Sequence, residues 1–175
     1  MRKTLILGVL VGLLSAASAF AAEPVKIGYL AALTGNDAAY GVAEVQSAQM
    51  YVTKRNNEGG VLGRPIELVV YDSKSRPEDA VNAVRRMIES DHVVAIVGSN
   101  TSGINIATAA LVNEAQVPQI GTATPNPLVT VDPQGTVRPY SFLLTFAHPY
   151  PGFLGPAFAP NDPCATTTPA PPPPG

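Results

Sequence analysis

The sequence predicts an α/β fold, a doubly wound and mainly parallel sheet flanked by helices. Apolar, β-branched runs of strand length alternate with amphipathic segments of helix length, and polar loops follow the strands. The resulting order βαβαβαβ requires parallel strands joined by right-handed crossovers. With 46% apolar and 14% charged residues in 175, the composition suits one globular domain with a real core.

The first βα unit opens with Val25–Leu30, an apolar run typical of a buried strand. Residues 33–37 are rich in small and polar side chains and are predicted to form a loop. A helix is predicted from about Val42 to Asn57. Gly59 and Gly60 follow it, as glycines commonly do at helix ends.

The second unit repeats this arrangement. Ile66–Tyr71 is the predicted strand, and Asp72 follows at its tip, where a solvated or capping role is favoured over ligand binding. The motif at Ser75–Glu78 fits a capping box with proline in the first turn. The helix that it opens is predicted to run to about Ser90.

The third unit carries the polar residues of greatest interest. Val93–Val97 is a continuous apolar run that predicts a strand buried on both faces, and Gly98 ends it. A helix follows and stops before Pro118, and Gln119–Gly121 is predicted as the tip of a fourth strand. The predicted buried stripe of that helix consists of Ile104, Ala107 and Leu111.

Two hydroxyl-rich loops, residues 99–102 and 122–124, therefore leave the same edge of the predicted sheet. Ligands bind in such crevices, outside the carboxyl ends of parallel strands. The helix after Ser102 would present free N–H groups and the positive end of its dipole to a carboxylate. A helix cap alone is the alternative role of Thr101 or Ser102, and one residue can serve both purposes.

The stretch GSNTSGINIATAALVNEAQVPQIGTATPNPLV, residues 98–129, resembles the first lobe of a type I periplasmic binding protein. The most similar group is the branched-chain (leucine/isoleucine/valine) amino-acid receptors of ABC importers. The resemblance runs from about Val25 to Phe142 and implies a lobe at residues 22–142 with strand order 2-1-3-4. It also implies a receptor that performs no chemistry and uses no cofactor.

The resemblance also implies roles at the ligand site. Ser102 matches a hydroxyl that meets the ligand carboxylate, and Ala123 matches a position whose backbone groups serve both charged ends. Thr124 matches a side-chain partner of the ammonium and carboxylate, and Tyr40 an aromatic residue beside the ligand side chain; packing on the core is the alternative for Tyr40. The whole expected set is Tyr40, Ser99, Thr101, Ser102, Ala123 and Thr124.

The implied function is capture of a branched-chain or similar amino acid for an ABC permease. Amides, urea, and aromatic or other carboxylates remain alternative ligands. An enzyme on a nucleotide-binding domain is disfavoured, because Ile104 follows Gly98–Gly103 where a P-loop requires lysine. The lone His92 and His148 lack metal spacing, and Cys164 has no partner for a disulfide or zinc site. The 11 basic and 13 acidic residues give no basic patch, so no nucleic-acid partner is expected.

The N-terminus predicts a secretory signal peptide over residues 1–21. Arg2 and Lys3 precede the apolar run Leu5–Leu14, and Ala19-Phe20-Ala21 forms a cleavage motif, so we expect cleavage between Ala21 and Ala22. The apolar run is too short for a permanent membrane helix, so an exported protein without a stable membrane anchor is expected.

The C-terminal segment 143–175 departs from this pattern. Ten of the 18 prolines lie from Pro149 onward, a composition typical of disordered or polyproline-like chain. Residues 138–144 are a candidate further strand before it. We expect a shifted reading frame or a truncated gene near Leu143, with weak or absent ligand binding, while a ligand for a proline-binding module is the alternative.

Overall fold

The computed structural model describes residues 23–145, and it contains five strands and three α-helices. The strands are β1 (Val25–Ala31), β2 (Ile66–Asp72), β3 (Ala95–Val97), β4 (Gln119–Gly121) and β5 (Ser141–Leu143). The helices are α1 (Ala38–Asn57), α2 (Pro77–Glu89) and α3 (Ser102–Glu114), with a 3-10 helix at Pro127–Val129. The expected signal peptide and nearly all of the proline-rich segment lie outside the described residues.

All five strands are parallel and lie in the order β2-β1-β3-β4-β5. This confirms the predicted parallel sheet and the order 2-1-3-4, and β5 extends the sheet beyond β4. The candidate strand in residues 138–144 is therefore real. The sheet also continues past the expected end of the lobe at Phe142, because the Leu144 N–H donates to the Gly121 carbonyl over 3.0 Å.

Alternate residues of β1 face two separate apolar clusters, as expected of a sheet covered on both sides. Leu30 packs with residues of α2 and α3, among them Met87 and Ile104, and all three are buried. On the other face, Tyr29 and Ala31 pack against Val45 of α1. The first cluster is larger because two helices cover that face and one helix covers the other.

Several element boundaries differ from the sequence prediction. Helix α1 begins at Ala38 rather than near Val42. Strand β3 begins at Ala95 rather than Val93, and Val94 is 56% exposed although its N–H still donates to the Lys26 carbonyl over 2.9 Å. The predicted stripe of α3 is wrong in part, since its buried residues are Ile104, Asn105, Thr108, Ala109 and Val112.

The predicted capping box at Ser75–Glu78 is wrong. The residue before α2 is Arg76, and no side chain caps that helix. The Ser75 hydroxyl instead donates to the Thr34 carbonyl over 3.2 Å and accepts the Asp37 N–H over 3.1 Å. Ser75 therefore holds the loop between β1 and α1 rather than the start of its own helix.

Asp72 fastens the same loop to the end of β2. Its carboxylate accepts the N–H groups of Leu33 over 2.8 Å, Thr34 over 3.2 Å and Lys74 over 2.7 Å, and the Thr34 hydroxyl over 2.6 Å. Burial acts to raise the pKa of Asp72, but these hydrogen bonds outweigh it and the pKa is lowered. The expected capping role of Asp72 is confirmed, and the groups that its carboxylate caps belong mainly to the loop between β1 and α1.

Asp72→Asn is expected to lower stability at neutral pH by about 1 kcal/mol, since the Thr34 hydroxyl loses its charged acceptor. A carboxylate with a depressed pKa in the folded state stabilises above its unfolded pKa of about 3.9. The stabilisation disappears as the pH falls through the folded value. Chemical unfolding between about pH 7 and pH 2 should show the variant and wild type converging in acid. Glu67→Gln, an exposed position on β2, is the control; an equal pH-dependent loss there would contradict the assignment.

Candidate functional site

Three loops meet at the carboxyl edge of the sheet, and hydrogen bonds join them. The Thr122 N–H, after β4, donates to the Ser99 carbonyl, after β3, over 3.3 Å. The Thr101 hydroxyl donates to Oδ2 of Asp37, before α1, over 3.2 Å. The predicted proximity of the two hydroxyl-rich loops is confirmed, and the loop from β1 joins them.

The Asn105 side chain holds the loop after β3 from within α3. Its Oδ1 accepts the Ser99 N–H and its Nδ2 donates to the Ser99 carbonyl, each over 2.8 Å. The amide therefore pairs with Ser99 as a neighbouring strand would. Both residues are buried, so water could not replace these hydrogen bonds if the Asn105 side chain were removed.

Gln119 of β4 extends this buried polar network. Its Nε2 donates to Oδ1 of Asn105 over 2.9 Å and to the Gly98 carbonyl over 3.0 Å. Its Oε1 accepts the hydroxyl of Thr108 over 2.9 Å. The position of the loop after β3 is thus fixed by side chains from the next helix and the next strand.

Ser99 was expected near the ligand, but the structure buries it completely. Its hydroxyl accepts the Thr101 N–H over 3.1 Å, which shapes the turn into α3. The side chain of Ser99 therefore supports the loop and does not face the open edge of the sheet.

The start of α3 lies at this edge with free backbone donors. Thr101 precedes the helix, but its hydroxyl makes no capping bond and points to Asp37 and Asn100. The alternative prediction that the Thr101 hydroxyl caps the helix is therefore wrong. Among residues 23–145, the N–H groups of residues 102–104 have no backbone acceptor, as at any helix start. Ser102, half-buried, is the first residue of that turn.

The loop after β4 presents its residues unequally. Ala123 is exposed, whereas Thr124 is fully buried and its hydroxyl has no hydrogen-bond partner among the described residues. That hydroxyl lies directly over Gly121, where a Cβ atom would come within 2.2 Å of it. The structure therefore brings Ser102 and Ala123 to the edge and places the Thr124 hydroxyl beneath the loop, unsatisfied.

Tyr40 is 70% exposed, so the alternative that it packs in the core is wrong. It lines an open groove of about 550 Å³ between α1 and the carboxyl ends of β1 and β3. The groove reaches Thr122, and its walls are mainly apolar and aromatic. Its other lining residues are Tyr29, Ala39, Ala43, Glu44, Ser47, Ala48, Tyr51, Val97 and Leu144.

Glu44 is the charged residue of this groove, and it was not anticipated from the sequence. Its Oε1 accepts the Thr122 hydroxyl over 3.1 Å, which ties α1 to the loop after β4. Burial raises the pKa of Glu44 while the hydrogen bond from Thr122 acts to lower it. Burial, and then the negative charge of Glu44, raise the pKa of Tyr29 to about 12.

Neither a metal centre nor a membrane span is evident in residues 23–145. No group of three or more His, Cys, Asp or Glu side chains in that range is placed to hold a metal ion. No helix described there is long and apolar enough to cross a bilayer. His92 lies exposed in the turn before β3, and His148 and Cys164 lie outside the described residues.

A doubly wound parallel sheet with polar loops and a helix start at its carboxyl edge defines the class of α/β ligand-binding lobes. The chain belongs to the periplasmic binding protein family, whose family model matches residues 24–153. The match extends past Phe142, so the family similarity continues further into the C-terminal segment than the expected boundary.

Curated relatives carry names that describe amino-acid binding. Leu/Ile/Val-binding protein homolog 2 of Brucella abortus is 30% identical over 130 residues, which is 74% of this chain and 35% of the relative. An amino acid binding protein of Pseudomonas aeruginosa is 30% identical over 125 residues, 71% of this chain and 33% of the relative. The chain thus spans about a third of the length of the curated relatives it matches.

Solved structures give the same fold. One is LivJ of Streptococcus pneumoniae, a branched-chain amino acid transporter substrate-binding protein in complex with isoleucine. It is 35% identical, with a TM-score of 0.65, over 71% of this chain and 34% of the LivJ chain. A Rhodopseudomonas palustris solute-binding protein in complex with 3,4-dihydroxy benzoic acid is 25% identical with a TM-score of 0.62, over 70% and 32%. The fold is therefore that of type I periplasmic binding proteins, and these relatives are substrate-binding proteins.

Proposed function

We propose that this chain supplies one lobe of an extracytoplasmic receptor that captures a branched-chain or similar amino acid for an ABC permease and catalyses no reaction. The observation that carries the proposal is the first turn of α3, whose backbone N–H groups have no backbone acceptor among residues 23–145. Ser102 begins that turn, and exposed Ala123 lies at the same edge of the sheet. The names of the relatives from Brucella and Pseudomonas support an amino-acid ligand.

In this proposal the ligand carboxylate binds the free N–H groups of residues 102–104 and the Ser102 hydroxyl. Hydrogen bonds to a charged group contribute roughly 1.5–3 kcal/mol each, and a helix start adds about 0.3–2 kcal/mol. Thr101, held against Asp37, and the backbone of Ala123 complete the rim. Ser99 acts through its backbone by fixing the turn.

Thr124 has an unmet hydrogen-bonding capacity that a ligand would satisfy. An unpaired buried hydroxyl costs about 1–3 kcal/mol, so a small shift of the 122–124 loop that exposes it to the ligand is favoured on binding. Tyr40 would then contact the ligand side chain from the groove. Amides, urea and aromatic carboxylates are the alternative ligands, and the dihydroxybenzoate complex of a relative favours the last of these.

We further propose that the chain is exported and processed between Ala21 and Ala22, which agrees with the periplasmic location of its family. N-terminal sequencing of exported protein tests this, and an intact Met1 in the exported fraction would contradict it.

Leucine is expected to bind this chain in the millimolar range, because a single lobe leaves the ligand open to water. NMR titration of the 175-residue chain should move the amide signals of residues 102–104 and 122–124 first. The analogue 4-methylpentanoate, which keeps the carboxylate, should move the signals of 102–104, and isoamylamine, which lacks it, should not.

Ser102→Ala is expected to weaken leucine binding by about tenfold, the loss of one hydrogen bond to a charged group. The matched control is Thr53→Ala, because Thr53 lies exposed on α1 outside the groove and its hydroxyl bonds the Gln49 carbonyl of its own helix. Unchanged leucine binding in Ser102→Ala, or micromolar binding by this chain alone, would contradict the proposed half-site.

A further inference from the structure

The groove beside α1 combines aromatic walls with one incompletely paired carboxylate. Oε1 of Glu44 accepts the Thr122 hydroxyl, but Oε2 is buried and has no hydrogen-bond partner among residues 23–145. Burial raises the pKa of Glu44, and a cation beside its carboxylate would favour the ionised form and offset the cost of burying it. The groove therefore offers a carboxylate with unused hydrogen-bonding capacity.

The tyrosines of the groove favour an organic cation over a bare metal ion. Tyr40 and Tyr51 are 70% and 66% exposed and lie about three turns apart on α1, with Glu44 between them, and Tyr29 lines the floor. Aromatic faces attract ammonium groups, including methylated ones, and alkyl groups around the nitrogen gain apolar contact. Only one carboxylate lines the groove, whereas hard metal ions take several oxygen ligands.

We propose that the groove lined by Tyr29, Tyr40, Glu44 and Tyr51 binds the ammonium group of a small organic cation, with Glu44 as its counter-charge. The volume of about 550 Å³ lies within the range of small-molecule sites. This cation site goes beyond the proposed carboxylate site, and the two share the loop of Thr122 and the Tyr40 side chain. A ligand that carries no carboxylate can therefore test it separately.

Choline is the probe, because it carries a quaternary ammonium and no carboxylate. Neohexyl alcohol, in which carbon replaces the nitrogen, is its neutral isostere. NMR titration of the 175-residue chain should show choline binding at least about fivefold tighter than the alcohol. The shifts should centre on Tyr40, Glu44 and Thr122.

Glu44→Gln keeps an acceptor for the Thr122 hydroxyl and removes the charge, so the preference for choline over the alcohol should disappear. Glu58→Gln is the matched control, because Glu58 follows α1 at its exposed end and pairs with Lys54 and Arg55. That variant should retain the preference. Thermal unfolding of each variant shows that the fold is intact.

Tyr40→Leu is a second, independent variant, because its exposed side chain can change without disturbing the core. We expect weaker choline binding and unchanged or tighter binding of the alcohol, since leucine keeps apolar area and lacks an aromatic face. Equal affinities of wild type for choline and the alcohol, absence of choline binding, or a preference that survives Glu44→Gln would each overturn the cation site. Loss of leucine binding in Ser102→Ala leaves this result unaffected.

Discussion

A Gly41→Ala chain is expected to unfold about 10–20 °C below the wild type, the effect of roughly 3 kcal/mol in a domain of this size. Gly41 is buried in the first turn of α1, directly against the end of β1. A Cβ atom there would lie 2.0 Å from the Ala32 carbonyl oxygen and 2.7 Å from its carbon. These are backbone atoms, so rotation of a side chain cannot relieve the clash.

The helix would have to move away from the sheet to admit the methyl group. The end of β1 cannot yield easily, because the Ala31 carbonyl accepts the Ser73 N–H over 2.7 Å. Displacement of α1 would loosen the cluster of Tyr29, Ala31 and Val45, which is the smaller of the two and is covered by this helix alone. The cost therefore combines strain with lost packing.

Gly103→Ala is the control for the Gly41 prediction. Gly103 is also in the first turn of a helix, but nothing lies within 4 Å of a Cβ built there. Alanine should stabilise that helix by up to about 1 kcal/mol through its higher propensity. Thermal unfolding of both variants by circular dichroism checks the pair. A Gly41→Ala midpoint within about 3 °C of wild type would show that α1 has room to move.

The fold was predictable because it depends on local patterns of apolar residues. Val25–Leu30 and Ile66–Tyr71 are mainly apolar runs that each follow a proline, and both strands were located within one residue. The meeting of the 99–102 and 122–124 loops follows from parallel strands alone. Boundaries were less accurate, as at Val94, which belongs to an apolar run and yet is 56% exposed before the start of β3.

The polar contacts of the site were not predictable, because they form only when helices, strands and loops pack together. Asn105 is adjacent to Ile104 of the predicted apolar stripe, so the sequence suggests a solvent-facing residue. Its side-chain amide instead makes both backbone hydrogen bonds to Ser99 that a neighbouring strand would make. Glu44 resembles an ordinary helix-surface glutamate until β4 brings Thr122 beside it. The only available sequence signal is weak: Asn105 and Thr108 have the spacing of one helix face that also contains Ile104 and Val112.

Asn105→Ala is expected to have the second large effect, a loss of about 3–4 kcal/mol of stability. The substitution leaves the buried Ser99 N–H unpaired, and it leaves the Ser99 carbonyl with the Thr122 N–H as its one remaining donor among residues 23–145. It also removes an acceptor from Gln119. Each unsatisfied buried group costs about 1–3 kcal/mol. The exposed Asn82 of α2 offers the control, because Asn82→Ala should be neutral or slightly stabilising through helix propensity.

The same substitution should also release the proposed ligand loop, which distinguishes it from a general loss of stability. Without Asn105, the Ser99 and Thr122 amides should lose protection from hydrogen exchange more than the amides of β1, because Thr122 bonds the Ser99 carbonyl. Leucine binding should weaken at temperatures where the chain remains folded. A variant that loses less than about 1 kcal/mol, or loses protection uniformly, would show that the loop after β3 is held by the sheet rather than by this side chain.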